Sequence, residues 1–193
     1  MGAEIGVLAL QGDVSEHVLA FRTALGGEGG HVRELRDAKE IGTFDAIALP
    51  GGESTTIARL IDKNRMREAL RTFEGGIFAT CAGLVLVAEK VVDDERFQPL
   101  GILEIEVERN AFGRQKDSFE ADLTIRGLLK PFHAVFIRAP IGRRAGPHAE
   151  VLAEIDRGFV AVRQGLHMAF AFHPELSGDL RLHKIFLAGL EDS

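Results

Sequence analysis

The 193 residues contain one cysteine, Cys81, and it sits between two apolar runs. Ile77-Phe78-Ala79 before it is long enough for a buried strand. Leu84 to Ala88 after it ends at Glu89-Lys90 and suits a buried helix. A strand turning sharply into a helix, with a nucleophilic side chain at the corner, is a nucleophile elbow. The corner lifts the sulfur above the end of a sheet. It also places the sulfur at a helix N-terminus, where free N–H groups and the helix dipole favour a thiolate. Free cysteine is more often a small core hydrophobe, and this stretch alone weighs the two readings evenly. A second group breaks the tie. His173-Pro174-Glu175 follows the apolar run Met168 to Phe172. Residues two apart in an extended segment point the same way, and Pro174 stiffens the spacer. His173 and Glu175 therefore have the spacing of a base and the carboxylate that orients it. Alone, a His-x-Glu reads as a surface turn. At a strand end, with a cysteine at another strand end, it supplies the parts of an acyl-transfer triad, on the edge where open α/β sheets bind ligands.

The elements that must position these groups can be read along the chain. Ile5 to Leu10 is a compact apolar run, expected as a buried parallel strand. Asp13 and Glu16 have capping-box spacing, Val14, Val18, Phe21 and Leu25 follow at helical spacing, and Gly26 to Gly30 stops the helix. His31 to Leu35 and Ala46 to Leu49 read as the second and third strands. The latter ends at Pro50-Gly51-Gly52-Glu53-Ser54-Thr55-Thr56, where the glycines allow close backbone approach to a ligand and Ser54 or Thr55 is placed to cap a helix through Ile57, Leu60 and Ile61. Arg65 to Phe73 reads as one more short helix. The alternation of strand and helix points to an open parallel sheet wrapped by helices. Beyond the elbow the pattern changes. Leu103, Ile105 and Val107 alternate with glutamates, and Phe119, Ala121, Leu123 and Ile125 alternate with polar residues, the signature of antiparallel strands wet on one face. Asn110 to Gln115 and Gly142 to Pro147 read as loops, Phe132 to Ile137 as a strand, and Val151 to Ile155 with Phe159 to Gln164 as a hairpin. Ser177 is placed to cap a final helix that buries Leu182, Ile185, Phe186 and Leu190. No linker divides the chain, so residues 1–193 are expected to form one domain, a three-layer α/β fold with a mostly parallel sheet and some antiparallel strands in its second half.

Composition narrows the function. Apolar residues make up 46% and charged residues 27%, a globular balance. A net charge of −6 argues against nucleic acid or an anionic membrane as partner. A lone cysteine cannot form an internal disulfide, which points to a reducing compartment. The N-terminus has neither a basic flank nor a long apolar run, so a cytoplasmic protein without signal peptide or anchor is expected.

Several blocks together resemble a known family: Leu10-Gln11-Gly12, Leu49 to Thr56, Thr80-Cys81-Ala82-Gly83, Val107 to Gln115, Asp117 to Leu123, Phe136 to Pro140 and Phe172 to Leu176. The chain resembles the class I glutamine amidotransferases with a Cys-His-Glu triad, of flavodoxin-like architecture. More narrowly it is similar to the glutaminase subunits of pyridoxal 5'-phosphate synthase, from about Ile5 to the final helix. Ala79, two before Cys81, departs from the usual glycine and would crowd the elbow by one methyl. The resemblance implies Cys81, His173 and Glu175 as the catalytic groups. L-glutamine would be bound by Gly52, Glu53, Ser54, Arg109, Ile137 and Arg138, and an oxyanion held by the backbone N–H groups of Gly52 and Ala82. A guanidinium suits the substrate α-carboxylate, although on charge alone Arg109 and Arg138 would read as surface ion pairs. The family needs no cofactor and no metal. Its partner is a synthase subunit, a (β/α)8 barrel that consumes the ammonia and stimulates the glutaminase on docking, with Gln11 and the Pro50-Gly51-Gly52 loop expected near the interface. A γ-glutamyl hydrolase would share the elbow cysteine and histidine but lacks the Glu-Arg-Asn and Pro-Gly-Gly-Glu-Ser-Thr-Thr blocks. A non-catalytic glutamine-binding subunit is the other alternative.

Overall fold

In chain order the strands are β1 (Glu4–Leu8), β2 (His31–Leu35), β3 (Ala46–Leu49), β4 (Gly76–Thr80), β5 (Ala88–Val91), β6 (Leu103–Glu108), β7 (Ser118–Leu123), β8 (Phe132–Ile137), β9 (Ile141–Ala145), β10 (Glu150–Ile155), β11 (Gly158–Gln164) and β12 (His167–Phe170). The helices are α1 (Val14–Leu25), α2 (Ser54–Lys63), α3 (Arg67–Arg71), α4 (Ala82–Val87) and α5 (Arg181–Glu191). This computed structural model describes residues 2–27, 29–92, 94–95, 98–109, 111–112 and 118–191. The expected loop at Asn110 to Gln115 therefore lies mostly outside the described residues, with Ala111 and Phe112 inside them.

Strands β2, β1, β3, β4 and β12 lie side by side and are all parallel. The central strands β3 and β4 have no polar face: they are buried at every position, as parallel strands covered on both sides must be. Helix α1 packs against α5, and α2 against α4. Beyond β12 the sheet continues through β11, β9, β6 and β5, with β10 on β11, and here most pairings are antiparallel. A separate two-stranded antiparallel ribbon, β7–β8, completes the fold. The core between α1, α5 and the sheet is aromatic: Phe78 packs against Phe21, Phe170 and Phe186 at centroid separations of 5.2, 5.1 and 5.2 Å. These edge-on and tilted geometries are favourable for π systems. No helix among the described residues is long and apolar enough to cross a membrane.

Four local expectations are corrected. Gly142 to Pro147 is not simply a loop, because Ile141–Ala145 forms β9. Arg143 bonds Glu108 and Arg144 lies 3.2 Å from Glu106 across the β9–β6 ladder, so residues read as a loop carry exposed cross-strand pairs. Helix α2 is capped by Glu53, whose carboxylate accepts from the Thr56 N–H, and not by Ser54 or Thr55, which lie inside the helix. Ser177 closes a 3₁₀ turn at Pro174–Leu176. The first N–H of α5 is taken instead by Asp179. Asp13 stands at the N-cap of α1, yet its side chain makes no capping bond.

Candidate active site

The register of the parallel sheet brings the two sequence groups together. Thr80, last in β4, is level with Phe170, last in β12, and the next N–H, that of Cys81, still donates to the Phe170 carbonyl at 2.8 Å. Three residues beyond Phe170 comes His173, whose own N–H donates to Val135 of β8 at 2.9 Å. Both side chains thus leave the same strand-end edge. At the corner Cys81 has φ 48° and ψ −103°, a left-handed conformation that costs a non-glycine residue about 1–3 kcal/mol. The chain then enters α4 at Ala82, which is 3% exposed. The elbow closes tightly because Gly83 has no side chain: a Cβ there would run into the Leu49 carbonyl and lie 3.2 Å from the Ala79 methyl. The methyl flagged at Ala79 is therefore accommodated by the glycine four residues on.

His173 and Glu175 meet by a different route from the extended one expected. Residues Pro174–Leu176 form the 3₁₀ turn, and the turn carries the Glu175 carboxylate back beneath the ring. The Nδ1 of His173 donates to Glu175 Oε1 at 2.7 Å, with the Glu175 side chain fully buried. The Cys81 thiol shares the wall of one cavity with His173 and donates to the Ile137 carbonyl at 3.6 Å. Burial alone would lower the His173 pKa, but its bonds to Asp13, Cys81 and Glu175 outweigh this and raise it to about 12. Burial pushes the Glu175 carboxyl up, while the charges of His17 and His173 and the bond to His173 bring it below its ordinary value.

Two residues in this network were not expected in it from the sequence, where Asp13 reads as a helix cap. Asp13 Oδ2 lies 3.3 Å from the same Nδ1 of His173. His17, fully buried on α1, places Nε2 3.0 Å from Thr80 Oγ1 and 3.5 Å from Glu175 Oε1. Burial keeps its pKa below the ordinary histidine value. Locally, Asp13 resembles a helix cap and His17 a turn-spaced polar residue. Only the partners brought by the fold distinguish them.

A cavity of about 300 Å3 opens beside the thiol, at the lower end of the range for small-molecule sites. Cys81, Ala82, Gly52, Glu53, Ser54, Arg109, Ile137, Arg138 and His173 all line it, with Asp13, Val85 and Pro140. Glu175 lies behind His173, out of the cavity wall. Glu53 joins two tasks: one carboxylate oxygen caps α2, and the other accepts from Arg109 at 2.9 Å. Arg109 also holds Asp94 at 2.5 Å, so it reaches the cavity already clamped between two carboxylates. Arg138 is exposed at the rim with φ 44°. Gly52 sits at φ 144°, a backbone conformation that strains any side chain, and a Cβ there would lie 3.0 Å from the Gly12 Cα and push on Gln11 Oε1. That oxygen accepts the Glu53 N–H at 2.9 Å and ties the loop to residue 11.

Residues 7–192 match the model of the SNO glutamine amidotransferase family. Among similar curated proteins, a "Pyridoxal 5'-phosphate synthase subunit PdxT" of Methanosphaerula palustris is 63% identical, covering 98% of this chain and 98% of that relative. A protein of the same name from Methanoculleus marisnigri is 59% identical over 99% of this chain and 100% of its own. A solved structure described as a glutamine amidotransferase superposes with a TM-score of 0.89 at 45% identity, covering 97% of this chain and 98% of that one.

Proposed function

From the premise that this chain belongs to the SNO glutamine amidotransferase family, we propose that it hydrolyses L-glutamine to L-glutamate and ammonia and passes the ammonia to a pyridoxal 5'-phosphate synthase subunit. The observation that carries the reading is the convergence of Cys81, His173 and Glu175 on one sheet edge, with the Nδ1–Oε1 bond at 2.7 Å and Cys81 lining a cavity of about 300 Å3.

Glutamine lies in the cavity with its side-chain amide over Cys81. Arg138 and the Arg109–Glu53 pair meet its α-carboxylate and α-ammonium, matching charge to charge. His173 takes the thiol proton and holds the resulting thiolate as an ion pair, with Glu175 fixing the ring and its tautomer. The sulfur attacks the amide carbon, and the oxyanion is received by the N–H groups of Ala82 and Gly52. Each such donor contributes about 3–4 kcal/mol to lowering the barrier. As the thiolate charge is consumed, the imidazolium holds its proton less tightly and gives it to the departing ammonia. Water, with His173 now the base, hydrolyses the thioester to glutamate.

Ammonia freed into neutral water becomes ammonium, which is no nucleophile. The reaction therefore serves synthesis only when a second active site receives the product directly. The receiver is a (β/α)8 synthase subunit in the cytoplasm, docked near Gln11 and the Pro50-Gly51-Gly52 loop. The test is glutamate release by wild type and Cys81→Ala, each with and without the synthase subunit. Wild type turns over faster when docked, and Cys81→Ala loses turnover while retaining glutamine binding. Turnover by Cys81→Ala would overturn the mechanism, and full activity of the lone subunit would overturn the gating.

A further inference from the structure

Asp13 occupies an N-cap position without capping. Aspartate is a favoured residue there because its carboxylate accepts a free N–H of the first helical turn. Here the carboxylate turns away and sets Oδ2 3.3 Å from His173 Nδ1, the atom that Glu175 already holds at 2.7 Å. The backbone is arranged to allow this. The Asp13 N–H donates to the Gly51 carbonyl at 3.3 Å, and Gly12, at φ 108°, passes so close to Gly51 that a Cβ on it would run into that carbonyl. On Gly51 itself, a Cβ would run into Cε1 of His173 and lie 2.7 Å from Asp13 Oδ2. Two glycines on two loops thus leave the space in which Asp13 reaches the imidazole. The two carboxylates differ in setting: Glu175 is fully buried, whereas the Asp13 side chain is 37% exposed and lines the cavity.

We propose that Asp13 is a positioning residue for this site: its carboxylate flanks Nδ1 of His173 as a second ion-pair partner beside the hydrogen bond to Glu175, so that either carboxylate alone keeps the ring in the tautomer and orientation that serve Cys81. The inference rests on reading His173 as the base. With carboxylates at Nδ1 from two sides, Nε2 is left for the thiol. Losing one acceptor leaves a charged acceptor in place, and losing both frees the ring to turn and to exchange tautomers. The bond to His173 is also the leading influence that lowers the Asp13 carboxyl below its ordinary value, so Asp13 is ionised at neutral pH. The groups facing His173 are Cys81 from the elbow, Glu175 from the turn and Asp13 from the start of α1. His17 of α1 acts on both His173 and Glu175, and His183 of α5 faces His17 and Glu175.

The test is a double-mutant cycle of Asp13→Asn and Glu175→Gln, both close in shape to the native residues, on the full chain. Two readouts are taken across pH: the rate of Cys81 alkylation by iodoacetamide, and glutamate release with the synthase subunit present. Each single variant is expected to lose about tenfold or less, with its acid limb displaced toward neutral pH. The double variant is expected to fall at least tenfold below the product of the single effects, as redundancy demands. Asp13→Ser separates positioning from capping. Serine caps well, so the melting temperature holds or rises while both profiles shift as in Asp13→Asn. Multiplicative losses in the double variant, or wild-type profiles for Asp13→Ser, would overturn the inference. Alkylation reports on the thiol–imidazole pair without substrate. A failure of glutamine turnover would therefore count against the proposed function, and unchanged alkylation profiles against Asp13.

Discussion

His183 offers a quantitative test of how the core responds to acid. Its ring is fully buried on α5, 4.8 Å from Phe78 in a stacked arrangement and 4.9 Å edge-on to Phe21. Neither ring nitrogen has a hydrogen-bond partner among the described residues. Burial pushes its pKa down to about 4, reinforced by His17 and opposed more weakly by Glu175 and Asp179. The folded value lies below the unfolded one, so the unfolded chain takes up the proton first and stability falls as the pH drops from about 6.5 to about 4. At ~1.36 kcal/mol per pH unit the full effect is about 3 kcal/mol, and at pH 4.5 it is about 2.5 kcal/mol. His173 adds no slope in this window. Its raised value means that its contribution is intact below ~6.5 and is lost only as the pH climbs toward about 12. His17 and the carboxylates with lowered values do add slope in both proteins, and it differs between them only through the weaker coupling of His183 to His17, Glu175 and Asp179. The perturbation is His183→Leu, which keeps the volume and removes the nitrogens. At pH 7.5, loss of the ring contacts and relief of the unpaired nitrogens nearly offset, leaving the variant within about 1 kcal/mol of wild type. At pH 4.5 the variant should gain about 2.5 kcal/mol on wild type relative to that starting difference. Urea unfolding followed by circular dichroism at both pH values measures it. A stability difference that is the same at both, within about 0.5 kcal/mol, would show that His183 titrates normally and refute the reasoning.

Gly83→Ala forces a methyl against the Leu49 carbonyl and the Ala79 methyl, and should cost about 1–3 kcal/mol, seen as a melting temperature lower by several degrees; an unchanged melt would show that α4 can shift freely. Gly51→Ala displaces His173 rather than the core, so glutamate release should drop by about 10²-fold while the melt changes little. Arg109→Lys keeps the charge but cannot bridge Asp94 and Glu53 with a planar fork, so KM for glutamine should rise more than kcat falls; equal changes in both would place Arg109 in the transition state instead. Phe78→Ala, at the centre of the aromatic core, should cost about 3–5 kcal/mol by thermal or urea unfolding.

What the sequence made legible is what local pattern encodes. Apolar runs bounded by glycine located β1, β3 and β4, and the small residues around Cys81 located the elbow, because burial on both faces and a tight corner each leave a mark within about ten residues. The groups that line the cavity were found through motif blocks, and the fold gathers them there. What escaped depended on partners far along the chain. Arg143 and Arg144 read as part of a loop until β6 supplies Glu108 and Glu106. Asp13 and Glu16 have the spacing of a capping box, but His173, distant in sequence, outcompetes the helix N–H groups for Asp13. His17 finds Thr80 at a separation of 63 residues, which no periodicity reports. Glu53 rather than Ser54 caps α2 because Arg109 fixes its other oxygen.

The distribution of strain around the cavity bears on how docking could control it. Three non-glycine residues among those described have positive φ, and two of them, Cys81 and Arg138, line this cavity. The Cys81 corner is over-determined. Its N–H is bonded to the end of β12, the preceding Thr80 is fully buried against His17, and Gly83 is locked under Leu49. Relaxing it would break the β4–β12 register and open the core, so the Cys81 sulfur stays fixed whether or not anything is bound. The opposite wall is built differently. Gly52 is exposed, Asp13 is partly so, and the two loops are joined by single bonds, Asp13 to Gly51 and Glu53 to Gln11, with no sheet behind them. Under the proposed function that wall supplies one oxyanion donor and, through Asp13, one of the two acceptors on His173. A docked synthase subunit pressing on residues 11–13 and 51–53 would thus change both the oxyanion hole and the aim of the base, while leaving the sulfur where the core holds it.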